Sequence, residues 1–107
     1  MSGDVEPSVG DVLYAYGAAA IALQGEFDVT GTDRFRAVFS EALAASPRSI
    51  VLNARGLTFI DSSGLKALLQ ARAAATDAGV AFRVSEPSAA LRWLAEITGL
   101  EVLLEDE

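Results

Sequence analysis

Cysteine and histidine are both absent from the chain of 107 residues. Without cysteine there is no disulfide, no thiolate nucleophile and no sulfur ligand for zinc, which fits a reducing compartment. Without histidine the chain lacks the commonest general base and the commonest metal ligand, and a Ser-His-Asp triad is excluded. Carboxylate catalysis without a metal remains open. Because the commonest catalytic and metal-binding side chains are absent, we nevertheless predict no catalytic residue, no metal site and no cofactor.

Positive charge is also scarce, because 8 lysines and arginines stand against 15 aspartates and glutamates, for a net charge of -7. Such a chain lacks the basic surface that binds nucleic acid, and an anionic membrane would repel it. Residues 1–6 do not have the basic start of a signal peptide. The longest apolar stretch, residues 18–23, is too short to span a bilayer. We expect a cytoplasmic protein that neither binds nucleic acid nor inserts into a membrane.

The chain is nonetheless well supplied with core-forming residues, since 51% of it is hydrophobic. Its length suits one domain with a single core that needs no disulfide or metal. We predict a flexible lead-in over residues 1–10, one domain over residues 11–104 and an acidic tail over residues 105–107.

The first half of the domain predicts two strands and a helix. The apolar segments 12–16 and 18–25 are expected to form an antiparallel pair that turns near Gly17. An apolar stripe at helical spacing runs from Phe35 to Leu43. The candidates for the cap of this helix are Thr30, Thr32 and Asp33.

The second half alternates between strands and helices. The continuous apolar run 49–53 predicts a central strand covered on both faces, and residues 54–56 connect it to a second apolar run. Further expected elements are a helix over residues 63–76, a strand over 80–84, a helix that starts at 85–88 with Ile97 in its apolar stripe, and a last short strand over 100–104. This order predicts an α/β sandwich.

The junction Asp61-Ser62-Ser63-Gly64 stands between an apolar run and a helix. Aspartate and serine are favoured where helices start, because their oxygens accept hydrogen bonds from unpaired backbone N–H groups. The same N–H groups and the helix dipole favour a bound anion. A serine at this point is therefore suited to carrying a phosphate, and equally to capping alone, which is the commoner role.

With Leu65, this junction resembles the characteristic motif of the STAS domain family, which includes bacterial anti-sigma factor antagonists. Four further features follow the family's order along residues 11–104. They are Gly25-Glu26-Phe27-Asp28, Ile50 to Asn53 with Leu57 to Ile60, the strand Gly79 to Val84, and Leu91 to Leu94 with Ile97 to Leu100.

The resemblance implies a single STAS-type α/β domain, with a small mixed sheet and helices packed mainly on one side. It also implies a switch, in which the unphosphorylated protein binds an anti-sigma factor that is a serine kinase, so that the sigma factor is released. Phosphorylation at Ser62 ends this binding, and a serine phosphatase resets it. Asp61, Ser63 and Gly64 become the neighbours of the phosphosite, with Ser63 as a capping residue.

We predict a docking face for the kinase that is made of residues from both strand ends and the following helix. Its members are Glu26, Asp28, Ser62, Ser63, Lys66 and Gln70. Lys66 stands where the family motif often has a second glycine, one helical turn after Ser62, so its ammonium is within reach of a phosphate. Alternatively, Lys66 is an exposed lysine without a specific role.

Two other functions are compatible with the residues. In the first of them, the domain is a non-catalytic STAS module of a stress-signalling assembly or of a lipid or anion transporter. An enzyme with Ser62 or Ser63 as nucleophile would require Lys66 as its base, and no motif supports that arrangement.

Overall fold

Four strands, three α-helices and a short 3-10 helix follow one another over residues 8–105, the part of the chain that the computed structural model describes. In chain order they are β1 (Leu13–Ala15), β2 (Ala18–Phe27), α1 (Val29–Ala44), β3 (Ser49–Ile60), α2 (Ser62–Asp77), β4 (Ala81–Ser85), α3 (Ala89–Thr98) and the 3-10 helix (Glu101–Leu104).

The strands form one mixed sheet in the order β1-β2-β3-β4. β1 is antiparallel to β2, whereas β2, β3 and β4 run parallel. Tyr16 and Gly17 connect β1 to β2 with φ values of 53° and 81°, the positive pair that a two-residue hairpin turn requires. The predicted antiparallel pair and its turn are confirmed.

The helices cover mainly one face of the sheet. Both parallel crossovers step the same way across it, and their right-handedness puts α1 and α2 on the same side. α1 packs against α2, which packs against α3. Burial alternates along β2, where Ile21 and Leu23 are buried and Ala20 and Ala22 are exposed. The fold class expected from the resemblance is confirmed.

The first half of β3 is not covered on both faces, so that prediction is wrong. Ile50 and Leu52 are fully buried, but Val51 and Asn53 are only half-buried, because the two crossover helices, α1 and α2, both lie on the opposite face of the sheet. β3 also continues through residues 54–56, where we expected a connection. It stays paired with β2 across two register shifts, so the chain reaches Ile60 without leaving the sheet.

The apolar stripe of α1 is confirmed, since Phe35, Phe39 and Ala42 are buried. Its aromatic rings continue into the sheet, with ring centroids 5.8 Å apart for Phe27 and Phe35 and 6.4 Å apart for Phe39 and Phe82. This row of rings fixes α1 against β2 and β4.

The end of the chain differs from the prediction. Gly99 ends α3 with φ 72°, and the Leu100 N–H donates to the Ala95 carbonyl over 2.9 Å. The chain then forms the 3-10 helix instead of a strand, because Leu103 is fully buried there and anchors the segment beside α3. Ile97, expected in the apolar stripe, is 59% exposed.

The predicted lead-in over residues 1–10 lies largely outside the described residues, as does the tail beyond Glu105. The last three residues of the lead-in, residues 8–10, are held by β2. Val9 is fully buried and bridges Leu23, and the Gly10 N–H donates to the Ala22 carbonyl over 3.0 Å. Residues 8–10 therefore belong to the folded domain. No helix within residues 8–105 has the length and apolar character needed to cross a membrane.

Candidate functional site

The site lies at the sheet edge where two parallel strands end side by side. Phe27 of β2 and Ile60 of β3 are register partners. Each is followed by an aspartate and then at once by a helix. Asp28 and Asp61 therefore stand at the same edge of the sheet, and the two loops share one end of it.

At the second junction Asp61 caps α2. Its Oδ1 accepts hydrogen bonds from the Gly64 N–H over 2.9 Å and from the Ser63 hydroxyl over 2.7 Å. These two hydrogen bonds, led by the one from Gly64, hold the pKa of Asp61 below its ordinary value of 3.8. Ser63 does not cap the helix as expected, because its hydroxyl is the donor to Asp61 and Asp61 already occupies the cap position.

Ser62 is the first residue of α2 and is exposed. Its hydroxyl has no hydrogen-bond partner within residues 8–105. Asp61 and Ser63 are bonded to each other, so the junction is held in shape without Ser62. The Ser62 hydroxyl is therefore free to meet another molecule, beside backbone N–H groups that the helix leaves unpaired.

At the first junction Asp28 caps α1. Its Oδ1 accepts from the Gly31 N–H over 3.1 Å, and the Thr32 hydroxyl donates to its carbonyl over 2.9 Å. The three predicted caps, Thr30, Thr32 and Asp33, are thus wrong. β2 ends at Phe27, so the extended residue at the turn into the helix is Asp28, one helical turn before Thr32.

Both junctions have glycine at the third residue after the aspartate, where both helices start directly against Phe27. A Cβ atom on Gly64 would lie 2.8 Å from a Phe27 ring carbon and 2.9 Å from the Ile60 side chain. A Cβ atom on Gly31 would meet the Ser8 hydroxyl, and the Phe27 ring at 3.2 Å. Phe27 is fully buried, so one ring supports the start of both helices.

The members of the docking face do not all lie on one side. Glu26 pairs with Phe59 in the sheet, and both project away from the buried side chains of Phe27 and Ile60. Asp28, Ser62 and Ser63 form the sheet edge, and Lys66 and Gln70 extend it along α2. Glu26 thus reaches the edge from the uncovered face of the sheet, whereas the other five lie on the helix side or at the edge.

Gln70 is tied to α1, because its Oε1 accepts from Arg36 Nη2 over 3.3 Å. It lines an open groove of about 240 Å³ between α1 and α2, with Phe39 and Ala71 in the floor. Lys66 is exposed and makes no ion pair within residues 8–105. Within the same residues no cluster of three or more candidate ligands is placed to hold a metal ion.

Two exposed apolar residues beside the edge were missed by the sequence analysis. Val29 is 65% exposed and Phe59 is 49% exposed. Val29 holds the place in the first junction that Ser62 holds in the second. The signal that would have found it is the repeated spacing Asp-x-x-Gly, at Asp28 to Gly31 and at Asp61 to Gly64.

Comparison with known proteins agrees with this architecture. The family described as "Mlab, STAS domain" matches residues 15–105. No significant match was found among curated protein sequences.

Solved structures share the fold at low sequence identity. The unphosphorylated anti-sigma factor antagonist SpoIIAA is 24% identical, with a TM-score of 0.75 over 91% of this chain and 86% of that chain. SpoIIAA of Bacillus in the phosphorylated form is 24% identical, with a TM-score of 0.73 over 92% and 90% of the two chains.

Two further structures come from other proteins. An anti-sigma factor antagonist from Mycobacterium paratuberculosis is 22% identical, with a TM-score of 0.76 over 94% of this chain and 86% of that chain. A sulfate transporter family protein from Wolinella succinogenes is 22% identical, with a TM-score of 0.73 over 87% and 75%. These similarities establish the fold. Because the family model matches residues 15–105, the chain belongs to the STAS domain family.

Proposed function

We propose that this protein is an anti-sigma factor antagonist controlled by phosphorylation at Ser62. Unphosphorylated, it binds an anti-sigma factor that is also a serine kinase, so that the sigma factor is released and transcription from its promoters proceeds. Phosphorylation ends the binding, and a serine phosphatase restores it. In this role the protein acts in the bacterial cytoplasm and needs no catalytic residue, metal or cofactor of its own.

The observation that carries the proposal is the Ser62 hydroxyl, exposed and without a hydrogen-bond partner within residues 8–105, on a junction that neighbouring residues hold rigid. A kinase needs a hydroxyl that it can reach without unfolding its substrate. Ser63 does not offer one, because its hydroxyl is engaged by Asp61. The apolar side chains of Val29 and Phe59 beside the edge supply the contact area that a docking partner buries.

The chemistry of the switch is a simple transfer. The γ-phosphoryl group of ATP moves to Ser62 Oγ, the hydroxyl proton leaves and ADP is released. Hydrolysis by the phosphatase returns serine and inorganic phosphate. The phosphate adds roughly −1.5 to −2 charges at neutral pH. Because Asp61 and Asp28 already stand at the edge, this charge concentrates where a partner would have to desolvate it.

The switch does not need a change of fold. A phosphate at the start of a helix is accommodated by the unpaired N–H groups there. The two SpoIIAA structures support this point, since the unphosphorylated and the phosphorylated forms resemble the present chain with TM-scores of 0.75 and 0.73. Binding is therefore lost by charge and bulk at the interface, with the domain intact.

A second candidate is a non-catalytic STAS module of a transporter or of a stress-signalling assembly. The similarity to a sulfate transporter family protein favours the transporter. In that role the same edge would hold a fixed partner, and phosphorylation at Ser62 would not be required.

A capture experiment from lysate of the native host distinguishes the two. The baits are the parent protein, Ser62→Asp and Ser62→Ala. We expect the parent and Ser62→Ala to recover an ATPase-fold anti-sigma kinase, and Ser62→Asp to lose it. With ATP, the kinase should label the parent and leave Ser62→Ala unlabelled.

Recovery of transporter or scaffold proteins by all three baits would contradict the proposed switch and favour the second candidate. Circular dichroism of each bait is the control that the fold is unchanged.

A further inference from the structure

The single lysine of the sequence, Lys66, lies on the helix that begins with the phosphorylation site. We propose that Lys66 forms an ion pair with phosphorylated Ser62, and that phosphorylation thereby removes this positive charge from the docking face. The inference rests on the proposed function, because it gives the phosphate a partner within the chain. In the unphosphorylated protein the ammonium is free to meet an acidic group of the kinase.

The spacing brings the two groups together. Ser62 and Lys66 are residues one and five of α2, so they lie on the same side of the helix, about 6 Å apart along its axis. Side chains four residues apart are surface neighbours. The lysine stem is long enough to carry its ammonium back to a phosphate on Ser62 Oγ. Both side chains are exposed, so no packing has to change for them to meet.

The charge of Lys66 is uncommitted in the unphosphorylated protein. It makes no ion pair or hydrogen bond within residues 8–105. Arg36, on the neighbouring helix, is by contrast engaged with the Gln70 side chain over 3.3 Å and with Asp33 over 3.9 Å. Arg72 lies ten residues after Ser62, about 15 Å along the helix, and donates to the Glu105 carbonyl.

The other charges at the sheet edge and on the helices that pack against α2 are mostly negative. The edge itself and the end of β2 contribute three carboxylates, α1 carries two acids and two bases, and α3 carries one of each. These groups are Asp61, Glu26, Asp28, Asp33, Arg34, Arg36, Glu41, Arg92 and Glu96. Without Lys66, a phosphate dianion on Ser62 would lose the uncommitted positive charge on its own helix, so we expect its second pKa to be higher than in the parent.

Phosphorus NMR tests the pair directly. Phosphoserine is installed at position 62 during translation, and its second pKa is read from the ³¹P chemical shift across a pH titration. We expect Lys66→Gln to raise this pKa by about 0.3, which corresponds to the loss of one surface ion pair between residues four apart on a helix. Lys66→Arg should titrate with the parent. Arg92→Gln removes the same charge from an exposed position on a different helix, α3, and should also titrate with the parent.

Equal titration of Lys66→Gln and the parent would overturn the proposal. So would an equal rise in Arg92→Gln, because the effect would then be one of net charge. Since the phosphate is installed without a kinase, this result is independent of whether a kinase recognises Ser62, which the capture experiment decides.

Discussion

The two strand–helix junctions of this domain have the same capping arrangement and differ in the two residues between the aspartate and the glycine. In each, an aspartate caps the helix through the N–H of a glycine three residues later, and that glycine lies against Phe27. Between aspartate and glycine the first junction carries Val29-Thr30 and the second carries Ser62-Ser63. The aspartate and the glycine hold the backbone of each junction, so the two residues between them can differ without altering the fold.

This division explains why a functional hydroxyl suits the second junction. Val29 and Ser62 occupy corresponding first helical positions and both are exposed. Val29 presents an apolar side chain at the surface, and Ser62 presents an exposed hydroxyl, the group that receives the phosphate in the proposed function. The structural task at both junctions is done by the aspartate, the glycine and the shared aromatic ring.

The largest difference between the junctions should appear when each glycine is replaced. A new Cβ at Gly64 meets two core side chains and the Phe27 carbonyl, and overpacking of this kind costs about 1–3 kcal/mol. We expect Gly64→Ala to lower the free energy of unfolding by up to about 2 kcal/mol, after the gain of about 1 kcal/mol from helix propensity.

Gly31→Ala is the matched control. Its closest neighbour is the end of the Ser8 side chain, which rotates at little cost. We expect its stability to stay within about 0.5 kcal/mol of the parent, because the propensity gain offsets the tight contact with Phe27. Urea unfolding measures both variants, and equal losses would show that the two junctions are packed alike.

A smaller effect is expected at the cap of α2. Asp61→Ala should cost about 1 kcal/mol at pH 7, because the Gly64 N–H loses its acceptor. The pKa of Asp61 is below 3.8 in the folded protein, so the stability due to its charge is complete above that value. It is lost as the pH falls through the folded pKa.

Asp61→Asn separates the charge from the cap, since asparagine also caps helices. We expect this variant to be less stable than the parent at pH 7 and to approach it under strongly acidic conditions. A constant difference at both pH values would mean that the Asp61 charge does not contribute.

The smallest effect concerns the residue before each glycine. Ser63 donates to Asp61 over 2.7 Å, whereas the Thr30 hydroxyl has no partner within residues 8–105. We expect Ser63→Ala to cost about 0.5–1 kcal/mol and Thr30→Ala to be close to neutral in urea unfolding. Equal costs would contradict the assignment of Ser63 to the support of Asp61.

The parts of the fold that were predictable are those set by local pattern. The hairpin at Gly17, the stripe from Phe35 to Ala42 and the end of α3 at Gly99 are confirmed, because turn residues and helical spacing act over a few residues. The start of α2 at the aspartate–serine junction also follows from capping preference.

The predictions that were wrong concern features that depend on contacts between distant segments of the chain. The cap of α1 falls on Asp28 because pairing of Phe27 with Ile60 decides where β2 ends. Residues 100–104 are as apolar as a strand, but burial of Leu103 against the domain makes them a 3-10 helix. The half-covered face of β3 follows from the placement of α1 and α2 on the same side of the sheet, which no single segment reveals.

The position of the site was predictable for a related reason. Asp61 to Gly64 carries the family motif, and its place at the edge beside Asp28 follows from two neighbouring parallel strands that end as register partners at Phe27 and Ile60. The apolar neighbours Val29 and Phe59 were not predictable, because exposure of an apolar residue at a strand end depends on what covers it.

In the proposed switch, a phosphate at Ser62 ends the binding of an anti-sigma kinase. The most direct measurement is the dissociation constant of that kinase for the parent protein and for protein with phosphoserine installed at position 62. We predict that phosphorylation weakens binding by about 100-fold or more, because like charge in a docked interface costs several kcal/mol. Equal dissociation constants for the two forms would contradict the proposed switch.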